Sequence, residues 1–323
     1  MVQINRRSFI AGAAGCVLTP AALAQDKYPS RPIQLTHGFG AGGNADVVSR
    51  LFAQKMQDTL QQPVVVDIKS GAGGAIASDY VAKSKPDGYN LVMLTGAHTV
   101  SAALRKSLPF DSVRDFSFIS TVTSFPFVIA VRSEHPARNL QDLLTLAAKK
   151  PDGVTFTSVG VGSTQHMVGE LLGATGNVKL LHVPYRGGGA PVQAVIAGDV
   201  DVLADTLTVA SPHIKSGRLR ALAVTSMHPW PSMPEIPPVA SVLKGFEIRS
   251  WLGLAAAAGT PTDIVDLLNK AVRVTAEDPA IKTSLFNLGS ERAPSSPVQM
   301  AALVEREIER WRSVMAKAGI QPQ

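Results

Sequence analysis

Gly38-Phe39-Gly40-Ala41-Gly42-Gly43 satisfies the spacing G-x-G-x-x-G, and Asp67 follows at about the ~20-residue distance at which a dinucleotide site places a carboxylate for the ribose. Glycines so spaced let backbone amides approach a negative group at the start of a helix. The chemistry on offer is anion binding. The anion could be the pyrophosphate of NAD(P), or a carboxylate, which fits such a loop without an arginine. A second loop, Ser158-Val159-Gly160-Val161-Gly162-Ser163-Thr164-Gln165-His166, repeats the device. Two anion-ready loops in separate units predict a ligand gripped between lobes.

The residues beside the glycines have plainer uses as well. Asn44 and Asp46 can cap the helix after the first loop, and Ser163 and Thr164 can cap the helix after the second or donate to a ligand. His166 falls in a first helical turn, where a packed or hydrogen-bonded histidine is the simpler reading. Ser163 with His166 lacks an orienting acid, and the sequence contains no G-x-S-x-G elbow, no H-E-x-x-H pair and no Walker lysine. The seven histidines are dispersed without metal-ligand spacing. No metal and no cofactor are expected.

The elements that must position these loops follow from hydrophobic period and turn residues. Ile33 to Thr36 reads as a strand, and Val47, Val48, Leu51, Phe52, Met56 and Leu60 form a helical stripe. Strand Val64 to Ile68, a loop with Gly71, Gly73 and Gly74, an Ala-rich helix, the Pro86-Asp87-Gly88 turn and strand Leu91 to Leu94 continue the alternation of a parallel sheet. Two apolar runs, Phe116 to Val122 and Phe127 to Val131, come next. A second alternation then opens with Asn139 capping helix Leu140 to Lys149 and runs to strand Leu219 to Val224. Prolines 229, 231, 234, 237 and 238 predict a surface connector. Strand Ile248 to Ala256 and helices Thr262 to Ala276, Ala280 to Leu288 and Val298 to Ala318 close the chain, the last with interleaved Arg306, Arg310 and Arg312 against glutamates as a solvated face.

Residues 1–24 read as an export signal: Arg6-Arg7 before Ser8-Phe9-Ile10, a short apolar run, and Ala22-Leu23-Ala24 at the end. Paired arginines before a bulky apolar residue point to the twin-arginine route, and the run is shorter than the ~20 residues a membrane span needs. Cleavage near Ala24 would leave 299 residues in the periplasm, enough for two lobes, and losing the two arginines would lower the formal charge from +6 to +4. The only cysteine, Cys16, would leave with the signal, so no thiol nucleophile, disulfide or cysteine-bound metal is expected in the mature protein. Its basic residues stand singly without aromatic interleaving, which argues against nucleic acid.

With those residues placed, the mature chain resembles the Bug-type extracytoplasmic solute receptors of tripartite tricarboxylate transporters. The resemblance rests on Tyr28-Pro29-Ser30-Arg31-Pro32-Ile33, Phe39 to Asp46, Pro86-Asp87-Gly88-Tyr89, Gly162 to His166, His182-Val183-Pro184-Tyr185-Arg186-Gly187-Gly188, Gly198-Asp199-Val200-Asp201, Leu219 to Ser226 and Ala258-Gly259-Thr260-Pro261. It implies an α/β, two-lobed Venus flytrap of type II-like form, each lobe a mostly parallel sheet flanked by helices. Residues 26–127 with 250–323 would make lobe 1, and 128–249 lobe 2. It further implies a monomeric, non-enzymatic receptor that carries a di-, tri- or aromatic carboxylate to a membrane permease of two subunits.

Carried over by position, the resemblance assigns ligand contact to Phe39, Gly40, Ala41, Gly42, Gly43 and Asn44, with Thr95 and Gly96, in lobe 1. In lobe 2 it assigns Ser158, Gly160, Gly162, Ser163, Thr164, His166, Tyr185 and Gly187, with Asp205 near the cleft. The chain departs from the family pattern at Gly38, Gly40, Asn44-Ala45 and Val161, where hydroxyl donors are lost and apolar surface is gained. These departures predict a ligand less densely polar than citrate, such as an aromatic or short dicarboxylic acid. Valine at Gly42 or Gly162 is expected to block backbone approach to it. The competing reading is an exported NAD(P)-dependent oxidoreductase using Gly38 to Gly43.

Overall fold

Two strand-turn-helix units, one at each end of a shared sheet, organise the molecule, and the computed structural model describes residues 27–322. The export signal lies outside the described residues. In the first unit β1 (Ile33–His37) leads to α1 (Asn44–Leu60), β2 (Val64–Ile68), α2 (Ala75–Ala82), β3 (Asn90–Thr95) and α3 (Ala97–Leu104). Val48, Phe52, Met56 and Leu60 recur every fourth residue of α1, so they share one face and are buried on the sheet. The helix α3 had no sequence signal of its own.

β4 (Phe116–Arg132) carries the chain onward. The second unit then follows as α4 (Leu140–Lys149), β5 (Thr155–Ser158), α5 (Thr164–Gly176), β6 (Leu181–Pro184), α6 (Ala190–Ala197), β7 (Val202–Thr206), α7 (Leu207–Lys215) and β8 (Leu219–Val224). The chain returns through β9 (Arg249–Ala257) and ends with α8 (Thr262–Glu277), α9 (Pro279–Asn287), β10 (Glu291–Arg292) and α10 (Pro297–Lys317). On α10 Arg310 and Arg312 pair with Glu307 and Glu309 on the outer side, while Met300, Val304, Ile308, Trp311 and Met315 are buried. No helix among the described residues is long and apolar enough to cross a membrane.

The strand order is β2-β1-β3-β9-β4-β7-β5-β6, with β8 and β10 also on β4. Pairing is parallel only in the outer strands, β1 with β2 and β3, and β5 with β6 and β7. The inner pairs involving β4 and β9 are antiparallel, because one strand leaves the first unit and the other returns to it. The sheet is therefore mixed, with its parallel pairs toward the two ends.

The two apolar runs at 116–122 and 127–131 are a single 17-residue strand, which corrects the sequence reading. Its first part pairs with β9 as far as Pro126 opposite Arg249, and its second part pairs with β7 and β8 from Phe127 or Val128. Proline has no N–H to give a ladder, and it falls where the strand changes neighbours. Thr225 ties this point together. Its Oγ1 accepts from Phe127 N (2.8 Å) and donates to Ile248 O (2.6 Å), and its backbone bonds the same two residues.

The proline-rich segment is not only surface. Trp230, Met233 and Ile236 are buried in the core of the second unit, where the prolines fix a path that regular structure could not follow. The Trp230 indole donates to Gly289 O at 3.1 Å and lies beside the Arg249 guanidinium, so this segment also meets the turn between α9 and β10.

Candidate functional site

The first glycine loop is held from beneath by charge. His37, fully buried at the end of β1, accepts Phe39 N–H at Nδ1 (3.4 Å) and meets Asp46 Oδ1 through Nε2 (3.2 Å). Asp46 Oδ2 accepts Gly42 N–H at 2.9 Å, and Arg50 Nε donates to Oδ1 at 2.8 Å. Burial pushes His37 below the usual histidine range, and Asp46 recovers part of that shift. Burial alone would raise Asp46, but the bonds from Gly42 and His37 and the charge of Arg50 outweigh it and hold the carboxylate low. The N-cap of α1 is Gly43, without a side-chain cap. Neither Asn44 nor Asp46 is the cap residue; Asp46 instead reaches back to the loop.

Beneath the second loop stand a serine and two stacked histidines. Ser158 Oγ accepts Gly160 N–H (3.0 Å) and lies 2.6 Å from His182 Nε2. His182 stacks on His166 with ring centroids 4.2 Å apart, and burial, then the neighbouring His166, lowers it to about 4. Ser163 caps α5 by accepting His166 N–H at 3.2 Å. The His166 ring faces Gly162 N–H and Glu170. Ser163 and His166 are thus engaged in building the helix start.

The two loops meet. Gly40 and Gly187 form an isolated parallel bridge, and a Cβ on Gly188 would lie 2.5 Å from Ala41 O. Ser101 Oγ donates to Gly162 O (3.2 Å), Arg105 Nη2 bonds Ala72 O and Val161 O, and Thr208 Oγ1 donates to Asn44 Oδ1 (2.7 Å). The glycines serve this approach of backbone to backbone. They place Gly187 and Gly188 against the loop where a dinucleotide reading needs pyrophosphate, and Asp67 is engaged with Gln34 and Lys69.

Behind the contact lies a cavity of about 40 Å³, counted as space open to the centre of a water molecule. Phe39, Phe125, Phe127, Val159, Val209 and Leu252 form its apolar walls. Asn44, Thr95, Thr164, Gln165, Asp205, Thr206 and Ser250 are its polar side chains, and none of the described lining residues is lysine, arginine or histidine. Asp205 is 2 % exposed; its Oδ1 accepts from Thr206 N (2.7 Å) and Gln165 Nε2 (3.2 Å). Burial raises this carboxyl to about 6. Asp205 Oδ2, Asn44 Nδ2 and Thr206 Oγ1 have no hydrogen-bond partner among the described residues. Buried polar atoms without partners are costly, so three around one cavity mark a place where a polar guest would be held.

Of the residues singled out in the sequence, Phe39, Gly43, Asn44, Thr95, Thr164 and Asp205 line this cavity. Gly40 of the first loop bridges to Gly187 of the loop after β6 beside it. Ala41 and Gly42 are exposed, and the Gly42 amide is taken by Asp46. Gly96, Ser158, Gly160, Gly162, Ser163, His166 and Tyr185 do not line the cavity; they shape or support its loops. A Cβ at Gly42 would meet no protein atom within 4 Å, whereas one at Gly162 would press on Ser101 Oγ at 2.8 Å. The floor residues Phe125, Phe127, Ser250 and Leu252, with Gln165 and Thr206, were not foreseen. Thr206 follows Asp205 directly, which is the one local signal that could have found it.

Comparison with known proteins gives a consistent result. The profile described as "Tripartite tricarboxylate transporter family receptor" matches residues 48–320. A UPF0065 protein from the tcbD-tcbE intergenic region of Pseudomonas sp. (strain P51) is 36% identical over 98% of this chain and 96% of its own length. The solved structure of the periplasmic binding protein BugD superposes with a TM-score of 0.89 at 32% identity, covering 92% of this chain and 100% of that one. Rpa4515 of R. palustris, solved with adipate, gives 0.88 at 32% identity with the same coverage. MatC from Rhodopseudomonas palustris with bound malate gives 0.84 at 31% identity, covering 89% and 99%.

Proposed function

The chain belongs to the tripartite tricarboxylate transporter receptor family, and from that premise we propose that it captures a small organic acid in the periplasm and delivers it to a two-subunit membrane permease. The protein acts as a monomer and performs no chemistry on its cargo. Its export signal, residues 1–24 of twin-arginine type, is removed near Ala24. Lobe 1 comprises residues 26–127 and 250–323, lobe 2 residues 128–249, and the ligand closes one upon the other. BugD, Rpa4515 and MatC are the relatives that support this reading, two of them through adipate and malate.

The observation that carries the proposal is the cavity between the two glycine loops, with partnerless Asn44 Nδ2, Asp205 Oδ2 and Thr206 Oγ1 and apolar walls of Phe39, Phe125 and Phe127. It is a recognition site of hydrogen bonds and shape. An anion that touches both loops favours the closed arrangement by its differential affinity, while one that touches a single loop binds without closing it. The large apolar share of the wall favours a short or aromatic acid over citrate.

The test is a thermal-shift screen of the purified protein against adipate, malate, succinate, benzoate, citrate, amino acids and NAD(P). A ligand at 100 times its dissociation constant adds ~2.7 kcal/mol, a readily visible shift. Stabilisation by a carboxylate supports the receptor; citrate as the best ligand removes the size and polarity argument. A shift with NAD(P) alone would replace the proposal with the oxidoreductase.

A further inference from the structure

Asp205 is the only ionisable side chain among the described residues that line the cavity. It stands next to the end of β7, opposite Val128 of β4, with one oxygen engaged by Thr206 N–H and Gln165 and the other without a partner among the described residues. The groups packed around it are neutral. On α5 the titratable residues His166 and Glu170 face each other, on α1 Asp46 is bound to His37 and Arg50, and on β9 Arg249 pairs with Glu291. On α7 His213 and Lys215 lie in the last turn, and on β4 Arg132, at the far end, reaches Gly198 O.

A buried carboxylate with no cation beside it is costly, and a ligand carboxylate brought into the same small cavity would add a like charge at close range. Two carboxyl groups in such a site are stable when they share a proton. We propose that Asp205 binds the ligand as a carboxylic acid: one proton is taken from solvent as the anion enters, and Oδ2–H donates to a ligand carboxylate oxygen. The new O–H bond replaces the missing partner at Oδ2 and cancels the added charge. This rests on the receptor reading and sharpens it, because a cavity that supplies a donor at this point selects acids over ligands that present an ammonium there. The ionisation of Asp205, already displaced upward to about 6, places the coupling within reach of ordinary conditions.

Calorimetric titration of adipate and malate at pH 6, 7 and 8, in buffers of different ionisation enthalpy, tests the proposal. Affinity should weaken by about tenfold per pH unit above 6, with uptake approaching one proton per ligand bound. Asp205→Asn keeps the acceptor for Thr206 N–H and presents a permanent donor, so its affinity should be independent of pH and exceed the wild type at pH 8. Binding of the wild type without proton uptake overturns the proposal whatever the variant does. Affinity that rises with pH, and is lost in Asp205→Asn, assigns Asp205 the opposite role of acceptor. Failure of adipate, malate, succinate, benzoate and citrate alike at pH 5.5 would instead remove the receptor reading on which the proposal stands.

Discussion

The loop after β1 and the loop after β5 have the same task, to bring glycine backbone to the centre of the molecule, yet they are held by different chemistry. Under the first, Asp46 gathers Gly42 N–H, His37 and Arg50 around one carboxylate. Under the second, Ser158, His182 and His166 are stacked and hydrogen-bonded, with Glu170 reaching only the outer edge of His166. Backbone geometry is therefore the shared requirement, and the support beneath it is free to differ. The difference should appear when each loop is stressed by substitution, acid or salt.

The largest effect is expected from Gly188→Ala set against Gly42→Ala. Both glycines have positive φ, +69° and +77°, so both alanines bear similar backbone strain of ~1 kcal/mol. Only the Gly188 Cβ, on the loop after β6, would press on the first loop, at Ala41 O. Carboxylate affinity measured by calorimetry should fall about a hundredfold in Gly188→Ala and by less than about threefold in Gly42→Ala. Equal losses would show that strain, not contact between the loops, decides binding.

Next in size is the removal of each support. Asp46→Ala leaves His37 Nε2 and Gly42 N–H without their acceptor and should cost about 2–3 kcal/mol in chemical denaturation. Ser158→Ala removes a neutral acceptor and a histidine contact and should cost about 1–2 kcal/mol. Comparable values would erase the distinction between a charged and a neutral support.

Acid separates the His182 and Asp46 supports by the pH range in which each is lost. His182 is depressed to about 4 in the folded state against ~6.5 unfolded, so the unfolded chain takes the proton first and stability is lost as pH falls from 6.5 toward 4. Asp46 is depressed too, but as a carboxylate its contribution is present above its unfolded value and is lost only as pH falls below about 4. Thermal melting between pH 7 and 4.5 should fall less steeply in His182→Gln than in the wild type, and at least as steeply as the wild type in Asp46→Asn, where His37 loses the carboxylate that raises it. The smallest effect is that of Arg50→Gln, whose half-exposed guanidinium should contribute under about 1 kcal/mol, and less in high salt.

Much of this molecule was legible because glycine and proline mark the ends of its outer elements. The Gly38 to Gly43 turn, the α1 stripe and the Pro86-Asp87-Gly88 turn each carry a local cause for the structure they adopt. β4 was not legible as one strand. Ser120, Thr121, Thr123, Ser124 and Pro126 interrupt its apolar pattern, and what makes them strand is pairing with β9, more than a hundred residues away. The same long-range register decides that Phe125, Phe127, Ser250 and Leu252 face the cavity. Its rim was therefore visible in turn chemistry while its floor was not. At Gly42 the glycine pattern was silent on one point: its amide is bonded by a carboxylate four residues on.

Trp230 has a consequence for observation. Its indole is joined to Gly289, in the segment assigned to the opposite lobe, and lies against Arg249 at the strand by which the chain returns. A rotation of the proposed lobes would strain that bond, which places the ring to report it optically. Emission of the unlabelled protein with and without adipate, compared with that of a Trp230→Phe variant, tests for the proposed closure: a ligand-dependent change confined to the wild type is expected.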